Sequence, residues 1–296
     1  MRHILGNRRA VLVFLAPALV LYIGVIVVPA VWSLVYSFFQ GAPASGFSYV
    51  GFANFKHLWT DPTVRTSLEF TLKYAIVLII CQIVFGYLLA LFYLFVLKRS
   101  STFIRTLVFF PVVLPPVAIA LLFNKLFAIS PTVGPVDSVL HIFGIGPVDW
   151  FATGTSAFVV IIVMDLWRSA GFYAVLLYAG LLDIPGEVLE SARIDGASGW
   201  RLVQHIVVPL SKPIVVASVI FAINADLKVF DSIYALNNGG PGVATTPLNL
   251  YMFETSFLYN DYGYGASIAM LITVVCLLGT VLVFRSSRRE VGGAYS

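Results

Sequence analysis

Long apolar runs separated by short polar stretches set the pattern of the chain, and about twenty mostly apolar residues are enough to cross a bilayer as a helix. Six such runs are present. The first extends from about Ala10 to Phe39, the second lies between Lys73 and Lys98, and the third between Arg105 and Lys125. The fourth covers about Thr155 to Leu182, the fifth about Pro213 to Leu236, and the sixth lies between Asp261 and Arg285. The expected fold class is an all-α integral membrane protein with six transmembrane helices. The first run is too long for a signal peptide and lacks a small-residue cleavage site, so it reads as a retained span.

The longest polar stretch, residues 183–213, separates spans 4 and 5 and is too long for a plain connection. It has the grammar of a folded element. Pro185 suits the first turn of a helix and Gly196 its C-terminal stop. Val188, Leu189 and Ala192 fall on one face, and Glu187, Glu190 and Arg193 on another. Ser198 is placed to cap a second short helix carrying Trp200, Val203, Ile206 and Val207. Pro209 and Pro213 are then expected to break the chain before span 5. A helix lying on the inner leaflet would carry a basic polar face. The acidic face here suits a protein partner better than anionic membrane lipid.

Composition agrees with the pattern. Of 296 residues, 59% are hydrophobic and 11% charged, against about a quarter charged in a soluble domain. The net charge of +4 is too small to imply nucleic-acid binding. Basic residues gather at span ends: Arg2, Arg8 and Arg9; Lys98, Arg99 and Arg105; Arg193, Arg201 and Lys212; Arg285, Arg288 and Arg289. The opposite side holds only Lys56, Arg65, Lys73 and Lys125. The positive-inside rule then places both termini and the polar stretch in the cytoplasm. Cys81 and Cys276 sit in apolar runs and read as small buried hydrophobes. His3, His57, His141 and His205 are scattered without metal-ligand spacing, and no phosphate-binding glycine–lysine loop is present. The chain is not expected to be an enzyme, to bind a metal or to hold a cofactor.

Charges inside the spans are candidates for function. Span 4 contains Asp165 and Arg168; span 5 contains Asp226, Lys228 and Asp231. Asp165 and Asp226 each lie roughly 15 Å from the outer boundary by helical rise, so both can face one cavity. On span 5, Asn224, Lys228 and Asp231 can share a face. Mutual pairing, Asp165 with Arg168 and Lys228 with Asp231 or Asp226, is equally consistent with the spacing, and pairing does not exclude ligand contact. Pro111, Pro115 and Pro116 in span 3, and Pro17 and Pro29 in span 1, mark kinks.

The run Glu190-Ser-Ala192-Arg-Ile-Asp195-Gly196-Ala197, then Ile206-Val-Val-Pro209 and Pro213, resembles the EAA loop of permeases of bacterial binding-protein-dependent ABC importers. Ser191 replaces the usual first alanine and Val208 a common leucine. The segment Phe230-Asp231-Ser-Ile-Tyr234 to Gly239-Gly240-Pro241, with Thr245-Thr246 and Tyr251, is similar to the maltose-type, sugar-importing branch, with Asn237 in place of threonine. Gly51-Phe-Ala-Asn-Phe55 with Asp61-Pro62 is similar to that branch's first outer loop. The resemblance implies a single transmembrane permease domain over 1–296, MalF-like, with 183–213 as a cytoplasmic coupling loop between helices 4 and 5. It implies that Glu190, Ser191, Ala192, Asp195, Gly196 and Ala197 dock on a dimeric cytoplasmic ATPase, which carries the ATP and Mg. Its implied partners are a second, MalG-like permease and an extracytoplasmic sugar-binding protein, all at a bacterial cell membrane. It also implies a mid-membrane cavity lined by Asp165, Arg168, Ser169, Phe172, Ala225, Asp226 and Val229, for a di- or oligosaccharide. Two rival functions are an ABC permease for glycerol phosphate or another polyol derivative, and a proton-coupled secondary transporter using Asp165 or Asp226.

Overall fold

The computed structural model describes residues 8–97, 101–130 and 132–292, with side chains at 13–97, 102–130 and 132–285. Arg2, His3, Lys98 and Arg99 lie outside the described residues, as do the side chains of Arg8, Arg9, Arg288 and Arg289. The element order is α1 (Arg8–Tyr22), a π turn (Ile23–Val27), α2 (Val28–Tyr36), β1 (Phe39–Ala42), β2 (Gly46–Tyr49), α3 (Ala53–Thr60) and α4 (Pro62–Phe95). Then come α5 (Ser101–Val113), α6 (Pro116–Leu126), α7 (Pro135–Ile142), α8 (Gly154–Leu182) and α9 (Gly186–Ile194). The rest is α10 (Gly199–Leu202), a π turn (Val203–Val207), α11 (Val208–Asp226), α12 (Asp231–Asn237), α13 (Leu248–Phe253), a π turn (Glu254–Leu258) and α14 (Tyr262–Gly292). Among the described residues, five helices are long and apolar enough to cross a membrane, or six if the bent pair α5–α6 is one span.

Three expectations change. Span 3 is not one rod: α5 and α6 meet at 94°. Pro115 is extended, with ψ 134°, because a residue before proline is pushed out of the helical region, and Pro116 starts a new helix in the position where its missing N–H is harmless. Span 5 does not begin at Pro213. Gly199–Asp226 is one helical run of 28 residues, and Pro209 and Pro213 sit inside it. The π turn Val203–Val207 immediately precedes Val208-Pro209, and Ile23–Val27 likewise precedes Val28-Pro29. Widening the turn ahead of a proline moves the carbonyl that its ring would strike, so the helix continues. Span 5 also stops at Asp226, and Asp231 begins α12. Asn224, Lys228 and Asp231 therefore do not share one helix face.

The described residues form two compact units. One holds the chain up to Val64 together with Tyr251–Thr273. Over the membrane-length run Val13–Tyr36 no residue of the most apolar window is buried, as suits a helix facing lipid or another subunit. The β1–β2 hairpin pairs antiparallel, with Phe39 opposite Tyr49 and Ala42 opposite Gly46. Buried Asn54 donates to Ser37 O at 3.0 Å and Phe39 O at 2.8 Å, and Phe38 packs against Phe52 and Phe55. That is the physical reason for an asparagine between two phenylalanines in this segment.

The other unit holds Arg65–Leu250 and the chain from Val274. Helix burial within lipid gains little from water exclusion, so close packing and polar bonds carry more of the cohesion. Gly171 on α8 shows the packing: a Cβ there would overlap Val108 O and Phe109 Cα of α5. Tyr74, Leu78, Ile119, Ile161, Met164, Ile233 and Leu236 form one buried cluster. Asn124 Nδ2 ties α6 to α12 through Leu236 O at 2.8 Å. Both cysteines are free thiols, Cys276 buried and Cys81 half-buried.

Candidate functional site

The polar stretch folds as α9 followed by the start of the long helix. Glu187 in the first turn and Arg193 in the last match the helix dipole. Gly196 adopts φ +88°, and its N–H donates to Arg193 O at 3.1 Å while Ala197 N–H donates to Ala192 O at 2.9 Å. This paired closure is the Schellman stop, which needs a left-handed residue that only glycine adopts without strain. Ala192 is buried, and Leu189 and Ala197 pack with it against Leu181, Ile184, Leu202 and Val207. Glu187, Glu190, Ser191, Arg193, Asp195 and Gly196 are exposed, as are Ile194 at 87% and Trp200 at 68%. Val188 is exposed rather than buried with Leu189, so the apolar face is narrower than its spacing suggests. Ser198 occupies the cap position but its hydroxyl makes no cap bond.

A second constellation lies on four helices of the same unit. Asp165 on α8 is fully buried. Its Oδ2 accepts from Tyr74 Oη on α4 at 2.7 Å and from Ser232 Oγ on α12 at 3.2 Å, and its Oδ1 accepts from Arg168 Nε at 3.1 Å. Of the two pairings read from spacing, Asp165 with Arg168 forms. Lys228 pairs with neither Asp226 nor Asp231 among the described residues; its side chain is exposed, and its backbone carbonyl accepts from Asn249 at 3.0 Å.

One turn further along α8, Ser169 Oγ donates to Asp165 O at 2.6 Å and accepts from Gln82 Nε2 at 3.0 Å. Gln82 Nε2 also reaches Asp226 Oδ1 on α11 at 3.4 Å. Asp165 and Asp226 thus belong to one chain of bonds running through Gln82 and Ser169. The other candidates sit differently. Val229 is buried in the apolar cluster with Tyr74 and Leu78. Ala225 is exposed, and Phe172 is 36% exposed beside the Tyr173 ring. Tyr74, Gln82 and Ser232 were not singled out from sequence. For Gln82 a signal existed, because it is the only long polar side chain between Tyr74 and Phe95, and a carboxamide in lipid needs partners as a charge does.

Outside the spans, the turn after α12 is tightly bonded. Asn237 Nδ2 donates to Gly240 O at 2.6 Å and to Thr245 Oγ1 at 2.9 Å, and Thr246 Oγ1 donates to Gly239 O at 3.1 Å. Asn237, where the resemblance expects threonine, holds this turn itself. In the first unit Asp61 caps α4, accepting from Thr63 N–H at 2.8 Å, and its second oxygen accepts from Tyr251 Oη and Tyr264 Oη, each at 2.7 Å. Burial opposes the Asp61 charge, but the two tyrosine hydroxyls and the Thr63 and Val64 N–H groups outweigh it and hold the carboxyl below its usual value. Burial and the adjacent Asp61 push the Tyr251 phenol up.

The profile of the family described as "Binding-protein-dependent transport system inner membrane component" matches residues 82–291. The "Probable ABC transporter permease protein YurN" of Bacillus subtilis is 31% identical over 284 residues, 94% of this chain and 96% of that protein. The "Trehalose/maltose transport system permease protein MalF" of Thermococcus litoralis is 33% identical over 242 residues, 81% and 80% of the two chains. A chain of a bacterial ABC transporter involved in alginate import has the same fold, with a TM-score of 0.84 at 21% identity, covering 98% of this chain and 99% of that one.

Proposed function

Because the chain belongs to the family of binding-protein-dependent transport system inner membrane components, we propose that it forms half of an alternating-access pore in an ATP-driven importer and that its cargo is a sugar. The observation that carries this reading is the bonded chain from the Asp165 carbonyl through Ser169 and Gln82 to Asp226, which brings two aspartates, an amide and a serine hydroxyl from three membrane-length helices together. Such groups are costly inside a bilayer and mark substrate pathways, and they are the groups that read sugar hydroxyls. The trehalose/maltose relative supports the same cargo class.

Within this reading Arg168, Ser169, Phe172, Ala225, Asp226 and Val229 line the cargo path. Asp165, with both oxygens engaged by protein donors, shapes that path and orients Arg168. The exposed face Glu190, Ser191, Asp195 and Gly196 docks on a dimeric ATPase, with Ala192 and Ala197 holding the docking helix to its own unit. ATP and Mg belong to that ATPase. A second, MalG-like permease and an extracytoplasmic sugar-binding protein complete the importer, and both termini of this chain are cytoplasmic. Two aspartates against one arginine in the network disfavour glycerol phosphate, which would want positive charge.

The test is reconstitution of the chain with these partners in liposomes, offering maltose, trehalose and lactose. Uptake that follows ATP hydrolysis and ignores a protonophore is expected. Uptake driven by a proton gradient with no ATPase present would instead select the secondary-transporter reading.

A further inference from the structure

Helix α4 carries no charged residue from Tyr74 to Phe95, yet it buries the Gln82 carboxamide to 1% exposure. The amide nitrogen is satisfied by Ser169 and Asp226. The amide oxygen, Oε1, and the second Asp226 oxygen, Oδ2, have no hydrogen-bond partner. A buried polar atom left unpaired is costly and rare in native structures. Here two acceptors in that condition belong to two residues already bonded to each other, one on α4 and one on α11, and together they make a candidate acceptor face.

Charge narrows what can meet that face. Arg168 pairs with Asp165, while no cation lies within 4 Å of Asp226 among the described residues. An acidic ligand would add like charge beside Asp226. A neutral hydroxylated ligand brings donors without charge, which is what two free acceptors require. Ala225, next to Asp226 on α11, is exposed, and so is Phe172 on α8, three residues beyond Ser169.

We propose that Gln82 determines cargo specificity: together with Asp226 it reads hydroxyl groups of a neutral sugar and disfavours sugar acids. This rests on the sugar reading above and extends the contact set from α8 and α11 to α4. Both acceptors are closed off in this conformation, at 1% and 4% exposure of their residues, so contact belongs to a more open state of the helices.

The reconstituted importer is assayed with maltose, trehalose and lactose, then with monodeoxy derivatives of whichever is taken up. In the wild type at least one derivative should show a KM raised roughly three- to a hundredfold, the range for losing a hydrogen bond to a neutral or charged partner. In Gln82→Leu the KM of the parent sugar should rise to match that derivative, making the two equivalent. Gln82→Glu, which keeps an acceptor at that position, should still discriminate them. If Gln82→Leu keeps the wild-type ratio of deoxy to parent KM, the inference is overturned while the sugar reading stands. Wild-type uptake of none of the three sugars overturns both. Should Gln82→Leu fail to assemble, equal KM values for parent and derivative in assembled Gln82→Glu overturn the inference.

Discussion

Replacing Tyr74 with phenylalanine isolates one bond of the buried network. The Tyr74 hydroxyl donates to Asp165 Oδ2 at 2.7 Å, and both residues are at 1% exposure or less. A hydrogen bond to a charged group contributes about 1.5–3 kcal/mol. Phenylalanine keeps the ring volume, so no cavity is added. Ser232 and Arg168 still hold the carboxylate, which puts the expected loss near the lower end, about 1.5–2 kcal/mol. For domains of 150–250 residues 1 kcal/mol shifts Tm by about 2–4 °C, giving a fall of about 3–8 °C. Arg168→Leu should cost more, about 3–5 kcal/mol, because it leaves a buried charge without its cation. The assay is thermal unfolding of the purified chain at one fixed scan rate, since membrane proteins commonly unfold irreversibly. It is run in the wild type and in an Asp165→Asn background. The tyrosine should matter less once the acceptor is neutral. Equal Tm losses in the two backgrounds, or a loss under about 1 °C in the wild type, would refute the account of Asp165 as an anchored residue.

Asp61 gives a pH signature. A carboxyl held low in the folded chain contributes stability that is whole above the unfolded value of about 3.9 and is lost as pH falls through the lower folded value. Acidification below about pH 4 should therefore lower the wild-type Tm more steeply than that of Asp61→Asn, and parallel curves would sink the argument. Glu190→Arg should leave membrane insertion intact but abolish co-purification of the ATPase and uptake; retention of both removes the docking role. Gly196→Val forces a β-branched residue to φ +88° and should cost about 1 kcal/mol or more of stability as well as coupling, whereas Gly196→Asn, the side chain that best bears a left-handed backbone, should lose less stability than Gly196→Val.

The spans and the polar stretch were legible because their signals are local. A run of apolar residues needs no partner to be recognised, and Gly196 ends α9 by backbone geometry alone. The misread places depend on something outside the residue concerned. Pro209 looks like a breaker until Val203–Val207 widens the turn before it. Pro115 and Pro116 could kink a span mildly or fold it nearly at a right angle, and the packing of α6 on α12 through Asn124 decides between them. In the candidate site, charge drew attention to Asp165 and Asp226, which the structure joins. Tyr74 and Ser232 escaped because neutral hydroxyls are common in spans, and their meaning comes only from an acceptor 91 and 67 residues away in sequence.

The unbroken run from Gly199 to Asp226 makes a lever. Twenty-eight residues at helical rise are about 42 Å long, with the exposed Trp200 near one end and the unpaired Asp226 oxygen at the other. A rod has little slack: tilt applied at the Trp200 end arrives at Asp226 as displacement of the side chain bonded to Gln82. Its soft places, the π turn at Val203–Val207 and the prolines at 209 and 213, all lie in the half nearer Trp200, so the arm from Pro213 to Asp226 swings as a single piece.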